Sequence, residues 1–254
     1  MRAPKTPFND AVEAERVWNS AILDITRVKA LRKVVQGATL NDVILAICAG
    51  ALRRYLLEKN ELPDKPLVAM IPVSTRTAEE KNSMGNQVSA MYVELATDLQ
   101  DPIRRLEKIH RNTVIGKLYQ DAIDAKSLIA YAELIPFGLA EVAARYYSRA
   151  ALAKRHNPFF NVVITNVPGP QIPLYLAGHK LVVNMGAAPI FDGMGLIIPI
   201  CSYNGTISIS PTSAVNLMPD LDNFTRYIRE SANELEAASQ QKLKEIAVLK
   251  KFLE

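Results

Sequence analysis

A chain of 254 residues with 49% hydrophobic and 22% charged residues is long and apolar enough to bury a full core, which excludes global disorder. The net charge of +4 comes without a long run of Lys and Arg, so the sequence gives no indication of nucleic-acid binding. No stretch of about 20 apolar residues could span a bilayer, and the first eight residues lack the apolar centre of a signal peptide, so we expect a soluble, cytoplasmic protein.

The first half of the chain alternates predicted strands and helices. In chain order these are a strand over 16–25, a helix over 26–35, a helix over 40–57, and strands over 67–73 and 87–95. Thr39 is the expected N-cap of the second helix. Pro102 begins a helical region that reaches about residue 153, with a break expected near Pro136 and Gly138.

The second half is richer in strands separated by Gly and Pro turns. The predicted strands cover 159–167, 181–185, 195–201 and 206–210, and a helix follows over 219–239. This order predicts a mixed α/β layer architecture. Without a Pro- or Ser-rich linker, we expect one domain over residues 1–240 and a helical tail over 241–254.

The residue types that most often carry catalysis are scarce. Cys48 and Cys201 lie in apolar runs and are predicted to be buried free thiols, with no metal site beside them. His110 is expected on a solvated helix face, His156 at a helix-to-strand joint and His179 in an exposed turn. None has a carboxylate arranged as in a catalytic triad, and the nucleophile-elbow, P-loop and dinucleotide motifs are absent from the sequence.

Polar motifs beside apolar segments remain as site candidates. Asn41 and Asp42 open the long helix, where they could cap it or face a site. Ser74 and Arg76 end a buried strand, and the arginine could hold a loop or contact a phosphate. Two further motifs, Ile164–Pro170 and Pro189–Leu196, join tight turns to apolar strands.

These motifs, in this order and spacing, resemble the C-terminal half of the bacterial wax ester synthase/acyl-CoA:diacylglycerol acyltransferases. The matching segments are Thr6–Asn9, Asn41–Ala46, Pro72–Arg76, Met84–Gln87, Asn166–Pro170, Phe191–Gly195 and Ser202–Gly205. The resemblance covers about residues 4–240. It implies a chloramphenicol-acetyltransferase-like lobe, a mixed sheet flanked by helices, that faces a second lobe across a tunnel.

The resemblance also implies a reaction and a missing partner. In this family a fatty alcohol or diacylglycerol hydroxyl attacks the thioester of acyl-CoA, a substrate, and no cofactor is expected. The general base belongs to a His-His-x-x-x-Asp-Gly motif on the N-terminal lobe. This chain has Ala187 and Ala188 in the corresponding register before Asp192 and Gly193. We therefore expect a partner lobe that carries the base, and no ester formation by this chain alone.

The resemblance places the candidate substrate-binding or lobe-interface residues at the four motifs. They are Asn41, Asp42, Asn86 and Asn166 in the tunnel wall, Ser74 and Arg76 at a loop or coenzyme A, and Gly169, Asp192 and Gly193 in turns. Apolar surface shared by residues 166–170, residues 191–196 and the start of the long helix is expected to dock the other lobe.

Two other functions remain open from the sequence. The chain could be a binding or scaffold protein that keeps the acyltransferase fold without the chemistry. It could also attach peripherally to a membrane or lipid-inclusion surface through its tail, where apolar positions lie beside lysines. The lysines concerned are Lys242, Lys244, Lys250 and Lys251.

Overall fold

The computed structural model describes residues 3–74, 88–122 and 158–253, which form a mixed sheet flanked by helices. The strands are β1 (Arg16–Trp18), β2 (Ala21–Asp24), β3 (Val68–Ser74), β4 (Val88–Glu94), β5 (Val162–Pro168), β6 (Tyr175–Leu176), β7 (His179–Lys180), β8 (Leu196–Tyr203), β9 (Thr206–Ile209) and β10 (Thr212–Ala214). The α-helices are α1 (Ile25–Leu31), α2 (Leu40–Glu58), α3 (Pro102–Ala122) and α4 (Leu221–Leu253), and short 3-10 turns cover Pro7–Asn9 and Arg32–Val34.

The central sheet has the strand order β1-β10-β8-β5-β3-β4, and β2 joins it through β9. Strands β3, β5 and β8 run parallel, whereas the other pairs are antiparallel. β8 is an interior strand, parallel to β5 and antiparallel to β10 and β9, and it is almost wholly buried with an apolar run from Leu196 to Cys201. The predicted mixed α/β fold is confirmed.

Helix α2 begins where the sequence predicts because a capping box fixes its first turn. The Thr39 hydroxyl accepts from the Asp42 amide at 3.2 Å, and the Asp42 carboxylate accepts from the Thr39 amide at 2.8 Å. From Asp42 to Leu52 every residue is buried. The helix packs against α1, α3 and α4, so it is the centre of the helical layer.

Helix α4 is one continuous helix where the sequence suggested a helix and a tail. Its inward residues stay buried as far as Ser239, and the following turns are mostly exposed. Lys242 forms an ion pair with Glu107 of α3 at 2.7 Å. The lobe boundary at residue 240 and a membrane role for the tail stay predictions. No helix among the described residues is long and apolar enough to cross a membrane.

The strand predictions were wrong at several places, and the two-residue strands β6 and β7 are among those missed. The strand over 16–25 divides into β1 and β2, because β1 pairs with β10 while β2 pairs with β9. Residues 181–185 form no strand and are mostly exposed. The three-residue strand β10 was missed, since three residues are too few to show a period-2 pattern. The break expected near Pro136 and Gly138 lies outside the described residues.

The connection between β5 and β8 lies along β8. Gly186 sits against Pro199 and Cys201, where a Cβ built on the glycine would lie 2.7 Å from Pro199 Cβ. Tyr203 accepts from the Leu174 amide and donates to the Leu181 carbonyl through its hydroxyl. We call residues 169–195 the β5–β8 connection. It carries the small β6–β7 hairpin.

The two cysteines differ in their surroundings. Cys48 is fully buried in α2, and desolvation raises the pKa of its thiol to about 12. Cys201 is only half-buried, because it faces the β5–β8 connection, so the prediction of two buried thiols was right for Cys48 alone.

Candidate lobe-interface site

The carboxyl ends of β3, β5 and β8 meet at one edge of the sheet, because these three strands are parallel. Ser74 ends β3 at this edge, Asn166 and Gly169 lie at the end of β5, and Ser202 lies at the end of β8. We call it the carboxyl edge. Crevices outside the carboxyl ends of strands are where open α/β sheets bind ligands.

Asn41 and Asn166 meet at the carboxyl edge, although 125 positions separate them in the chain. The Asn166 side-chain amide donates to the Asn41 side-chain carbonyl at 3.5 Å. Asn166 is exposed and Asn41 is half-buried at the start of α2. Each amide keeps further donor and acceptor capacity, so the pair can bind a polar group in front of the edge.

Asp42 points away from the solvent and into the contact between α2 and α3. Its side chain is almost fully buried; Oδ1 accepts from the Thr113 hydroxyl at 2.7 Å, and Oδ2 lies 2.9 Å from Nδ1 of His110. Burial raises the pKa of Asp42, but hydrogen bonds from Thr113, Thr39 and His110 outweigh it, so the pKa lies below its usual value. The ionised carboxylate can only accept hydrogen bonds, so His110 donates its Nδ1–H to Asp42.

The prediction of a solvated His110 was therefore wrong. The imidazole is 19% exposed, and its Nε2 lies 3.1 Å from a Cβ built on Gly37. The charged residues beside it in sequence suggested a solvent face, but the buried carboxylate on α2 decided the orientation. His179 is exposed in β7.

Gly169 holds the turn after β5 close to the end of β8. A Cβ there would lie 2.2 Å from the Ser202 carbonyl oxygen, so the close approach requires glycine. The Gly169 amide donates to the Ser202 hydroxyl at 3.2 Å. The β8–β9 hairpin adds two bonds, from the Asn204 amide to the Pro170 carbonyl and from the Gly205 amide to the Gln171 side chain.

Asp192 and Gly193 lie at the opposite edge of the sheet, before the amino end of β8. Asn166 lies opposite Ile200, four residues beyond Leu196, so about 13 Å of β8 separates it from the strand end next to these two residues. Asp192 accepts from the Val12 amide at 2.7 Å, and the Gly193 amide donates to the Asp10 carbonyl at 3.0 Å. Asp192 is a turn residue, as the sequence favoured, and the apolar surface expected to be shared by residues 166–170, residues 191–196 and the start of the long helix stays a prediction.

Two buried asparagines that were not among the candidate site residues join this second edge, and Asn9 is the last residue of the family motif Thr6–Asn9. Asn9 donates through one amide nitrogen to the carbonyls of Gly193, Phe160 and Asn161, at 3.0, 3.2 and 3.4 Å. Asn161 accepts from the Val68 amide at 2.9 Å and donates to the Asn9 side chain at 2.9 Å. Asn161 gave no recognisable signal, since it is a single polar residue at the start of an apolar strand.

The sequence-predicted site residues thus divide by position. Asn41, Asn166 and Gly169 come together at the carboxyl edge, with Ser74 ending β3 there. Asp42 is buried behind that edge, and Asp192 and Gly193 lie at the other. Arg76, Asn86 and His156 lie outside the described residues.

Comparison with known proteins identifies the family of the chain. Residues 84–236 match the family model of the WS/DGAT C-terminal domain. The O-acyltransferase WSD of Acinetobacter baylyi is 32% identical over 96% of this chain and 52% of its own length. A putative diacylglycerol O-acyltransferase of Mycobacterium tuberculosis is 37% identical over 93% of this chain and 51% of its own length.

Solved structures show the same fold. The wax ester synthase/diacylglycerol acyltransferase of Marinobacter aquaeolei VT8 superposes with a TM-score of 0.76 at 30% identity, over 94% of this chain and 53% of that one. The starter condensation domain of rhizomide synthetase shares the fold at 12% identity, with a TM-score of 0.53 over 94% of this chain and 47% of that one. The chain spans about half the length of the relatives it matches. It belongs to the wax ester synthase/diacylglycerol acyltransferase family, whose C-terminal domain it contains.

Proposed function

We propose that this chain is the C-terminal lobe of an acyl-CoA-dependent O-acyltransferase that makes wax esters or triacylglycerol. The acceptor hydroxyl oxygen attacks the thioester carbonyl carbon, so that a C–O bond forms and the C–S bond breaks. A histidine on an N-terminal lobe takes the hydroxyl proton, and the proton leaves with coenzyme A as its thiol. Acyl-CoA is a substrate, and the proposal needs no cofactor.

The Asn41–Asn166 pair carries this proposal. It brings two motifs of the family to one exposed edge, where amide groups can orient an acceptor hydroxyl or a thioester carbonyl. Among the described residues, the side chains placed there are amides and the Ser202 hydroxyl, none of which has a pKa suited to a general base. The edge therefore positions a substrate and leaves proton transfer to another part of the enzyme.

The β5–β8 connection supports a second lobe. Among the described residues, five large apolar side chains of this connection are exposed to solvent: Ile172, Tyr175, Leu176, Val182 and Phe191. Leu176 and Val182 are each 82% exposed. An apolar strip of this kind is typical of a surface that a protein partner covers. We assign that partner to the N-terminal lobe, because the matched relatives are about twice as long as this chain.

Reconstitution tests the proposed reaction. We expect no ester from the chain alone, and ester with stoichiometric thiol release when it is mixed with the N-terminal half of the Acinetobacter baylyi relative, acyl-CoA and a fatty alcohol or diacylglycerol. Changing the second histidine of that half's motif to Ala should abolish turnover. Acyl-CoA binding without turnover in any combination would favour the scaffold function instead.

The His110–Asp42 pair supports one competing assignment. A carboxylate bound to Nδ1 of an imidazole is also how catalytic histidines are oriented, with Nε2 as the base. Here Nε2 faces Gly37, in the turn before α2. Turnover by the chain alone that disappears in His110→Gln would place the base here and overturn the two-lobe proposal.

Asn166→Ala should lower kcat of the reconstituted enzyme by about tenfold or more, since a lost orienting hydrogen bond acts on the reacting geometry. The melting temperature should change little, because Asn166 is exposed and its bond to Asn41 is long. Asn233→Ala is the matched control, as it removes an exposed amide on α4 that binds Arg27. An unchanged kcat in Asn166→Ala would remove the pair from the site.

Leu176→Lys with Val182→Lys should weaken binding of the N-terminal half by about tenfold or more, because two apolar contacts become charges at the interface. The isolated chain should also self-associate less in analytical ultracentrifugation, at an unchanged melting temperature. Val248→Lys alters an exposed apolar residue on α4 and serves as the control. Equal binding by the variants and the wild type would contradict the assigned lobe surface.

A further inference from the structure

A cavity lies between helices α2, α3 and α4, away from the carboxyl edge. It has a volume of about 410 Å³, and its walls include Gly50, Arg53, Arg54 and Leu57 of α2, Arg105 of α3 and Glu234 of α4. We call it the arginine pocket. Its α2 residues are 9 to 16 positions beyond Asn41, which is roughly 14–24 Å along the helix axis.

Arg105 is a buried cation without a carboxylate partner. Its side chain is about 2% exposed, and among the described residues it forms no ion pair. Nε and Nη2 donate to the carbonyls of Leu99 and Gln100 at 2.9–3.2 Å. These bonds tie the loop before α3, but Nη1 has no acceptor within the described part of the chain. One donor of a buried guanidinium therefore remains available in the pocket.

Arg53 adds a second cation, which is half-buried. Its Nη1 donates to the Thr97 carbonyl at 2.7 Å and the Asp98 carbonyl at 3.3 Å, and no described carboxylate pairs with it. Arg54 differs, because Glu230 and Glu234 neutralise it at 3.0 and 3.6 Å.

The charged side chains in the walls of the pocket are three arginines and one glutamate. Burial lowers the pKa of Arg105, and Arg53 and Arg54 lower it further, against the opposing effect of Glu234 and Asp101. A group whose charge is disfavoured in this way gains stability when an anion binds beside it.

Gly50 keeps Arg105 close to α2. A Cβ built there would lie 2.8 Å from Arg105 Nη1 and 2.1 Å from the Ser231 hydroxyl oxygen. Any larger residue would displace the guanidinium or separate the helices. The glycine thus places Nη1 in the same pocket wall as Arg53.

We propose that the arginine pocket binds a phosphate group through Arg53 and Arg105. Two guanidinium groups with spare donors match the several oxygens of a phosphate, and charge-assisted bonds of this kind are strong in a partly dry pocket. The phosphate can belong to a lipid headgroup or to a soluble phosphate compound. The proposal stands independently of the acyl-transfer reaction.

The test uses the whole chain and two probes. Inorganic phosphate is titrated calorimetrically at constant ionic strength against chloride, and phosphatidylcholine vesicles with and without phosphatidic acid are used in sedimentation. Arg53→Gln should weaken binding by about tenfold or more, as expected for a lost charged hydrogen bond. Arg105→Lys keeps the positive charge but loses the planar guanidinium with its several N–H donors, so it should also weaken binding. Arg104→Gln is the matched control, because it removes the exposed arginine next to Arg105 in α3.

The pattern of variants decides the proposal, with circular dichroism confirming that each one is folded. Saturable binding of either probe that both pocket variants weaken and Arg104→Gln leaves unchanged supports the site. Binding of inorganic phosphate alone assigns a soluble phosphate, whereas binding that requires phosphatidic acid assigns a lipid headgroup. Binding of neither probe, or equal weakening by Arg104→Gln, overturns the proposal.

Discussion

Asp42→Ala is expected to lower the free energy of unfolding by about 3–5 kcal/mol, because it deletes part of a helix cap and leaves buried hydrogen-bond donors without an acceptor. The substitution removes the Asp42 half of the capping box and leaves the Thr113 hydroxyl and His110 Nδ1 without this buried acceptor. Urea unfolding followed by circular dichroism measures the loss. Asn41→Ala is the control, and its effect should stay below about 1 kcal/mol because its side chain is half-buried and makes one long bond.

The same carboxylate predicts an acid dependence. Asp42 has a lower pKa in the folded chain than its usual value of 3.8, so the folded state binds the proton less tightly than the unfolded state does. Its contribution is complete above pH 3.8 and is lost as the pH falls through the folded pKa. Asp42→Asn should flatten this part of the stability curve. A wild-type curve with the same acid slope as the variant would contradict the assignment.

Asn9→Asp should cost about 3 kcal/mol or more, because a carboxylate would face three carbonyl oxygens that now accept from the Asn9 amide. The segment Thr6–Asp10 would lose its attachment to the turn at Gly193 and to Asn161. Denaturant unfolding gives the free energy, and hydrogen exchange at the Gly193 and Gly195 amides reports whether the segment detaches.

Asn216→Asp is the matched control for this substitution. Asn216 holds the same N-terminal segment through the Ala11 carbonyl and the Glu13 amide, but from an exposed position where water can replace the bonds. Its effect should stay below about 1 kcal/mol. Similar losses in both variants would mean that charge, and not the buried amide clamp, determines the result.

The helices and inner strands were predictable because their signals are local. The capping box at Thr39 and the apolar run after it place the start of α2 at the correct residue, and the alternation after residue 87 gives β4. Residues 181–185 were wrongly predicted to be a strand, because a short apolar run between turns is typical of a buried strand. Here they lie in the β5–β8 connection, where Leu181 and Val182 are exposed.

The sequence predicted several residues of the candidate site, but it could not predict which of them lie together in the structure. Family motifs marked Asn41 and Asn166, but only the parallel order of β5 and β8 and the position of α2 bring them together. The same topology carries Asp192 to the far edge, which no spacing in the sequence reveals. Asp42 was a candidate site residue in the sequence, but in the structure it is buried and has a structural role. Its partners His110 and Thr113 belong to a helix more than 60 residues away in the chain, so the sequence could not show this.

The placement of β1 and β10 has a consequence for how the chain folds. Arg16 pairs with Ala214, and Ala21 with Ile209, so strands from the two ends of the chain close the same sheet. To form such pairings, the chain must first lose the entropy of a long loop, and the stabilising contacts form only afterwards. This slows folding. During synthesis β1 and β2 must wait, unpaired, until β9 and β10 have emerged. The side chains of Trp18 and Ile22 would be open to chaperones until those strands appear.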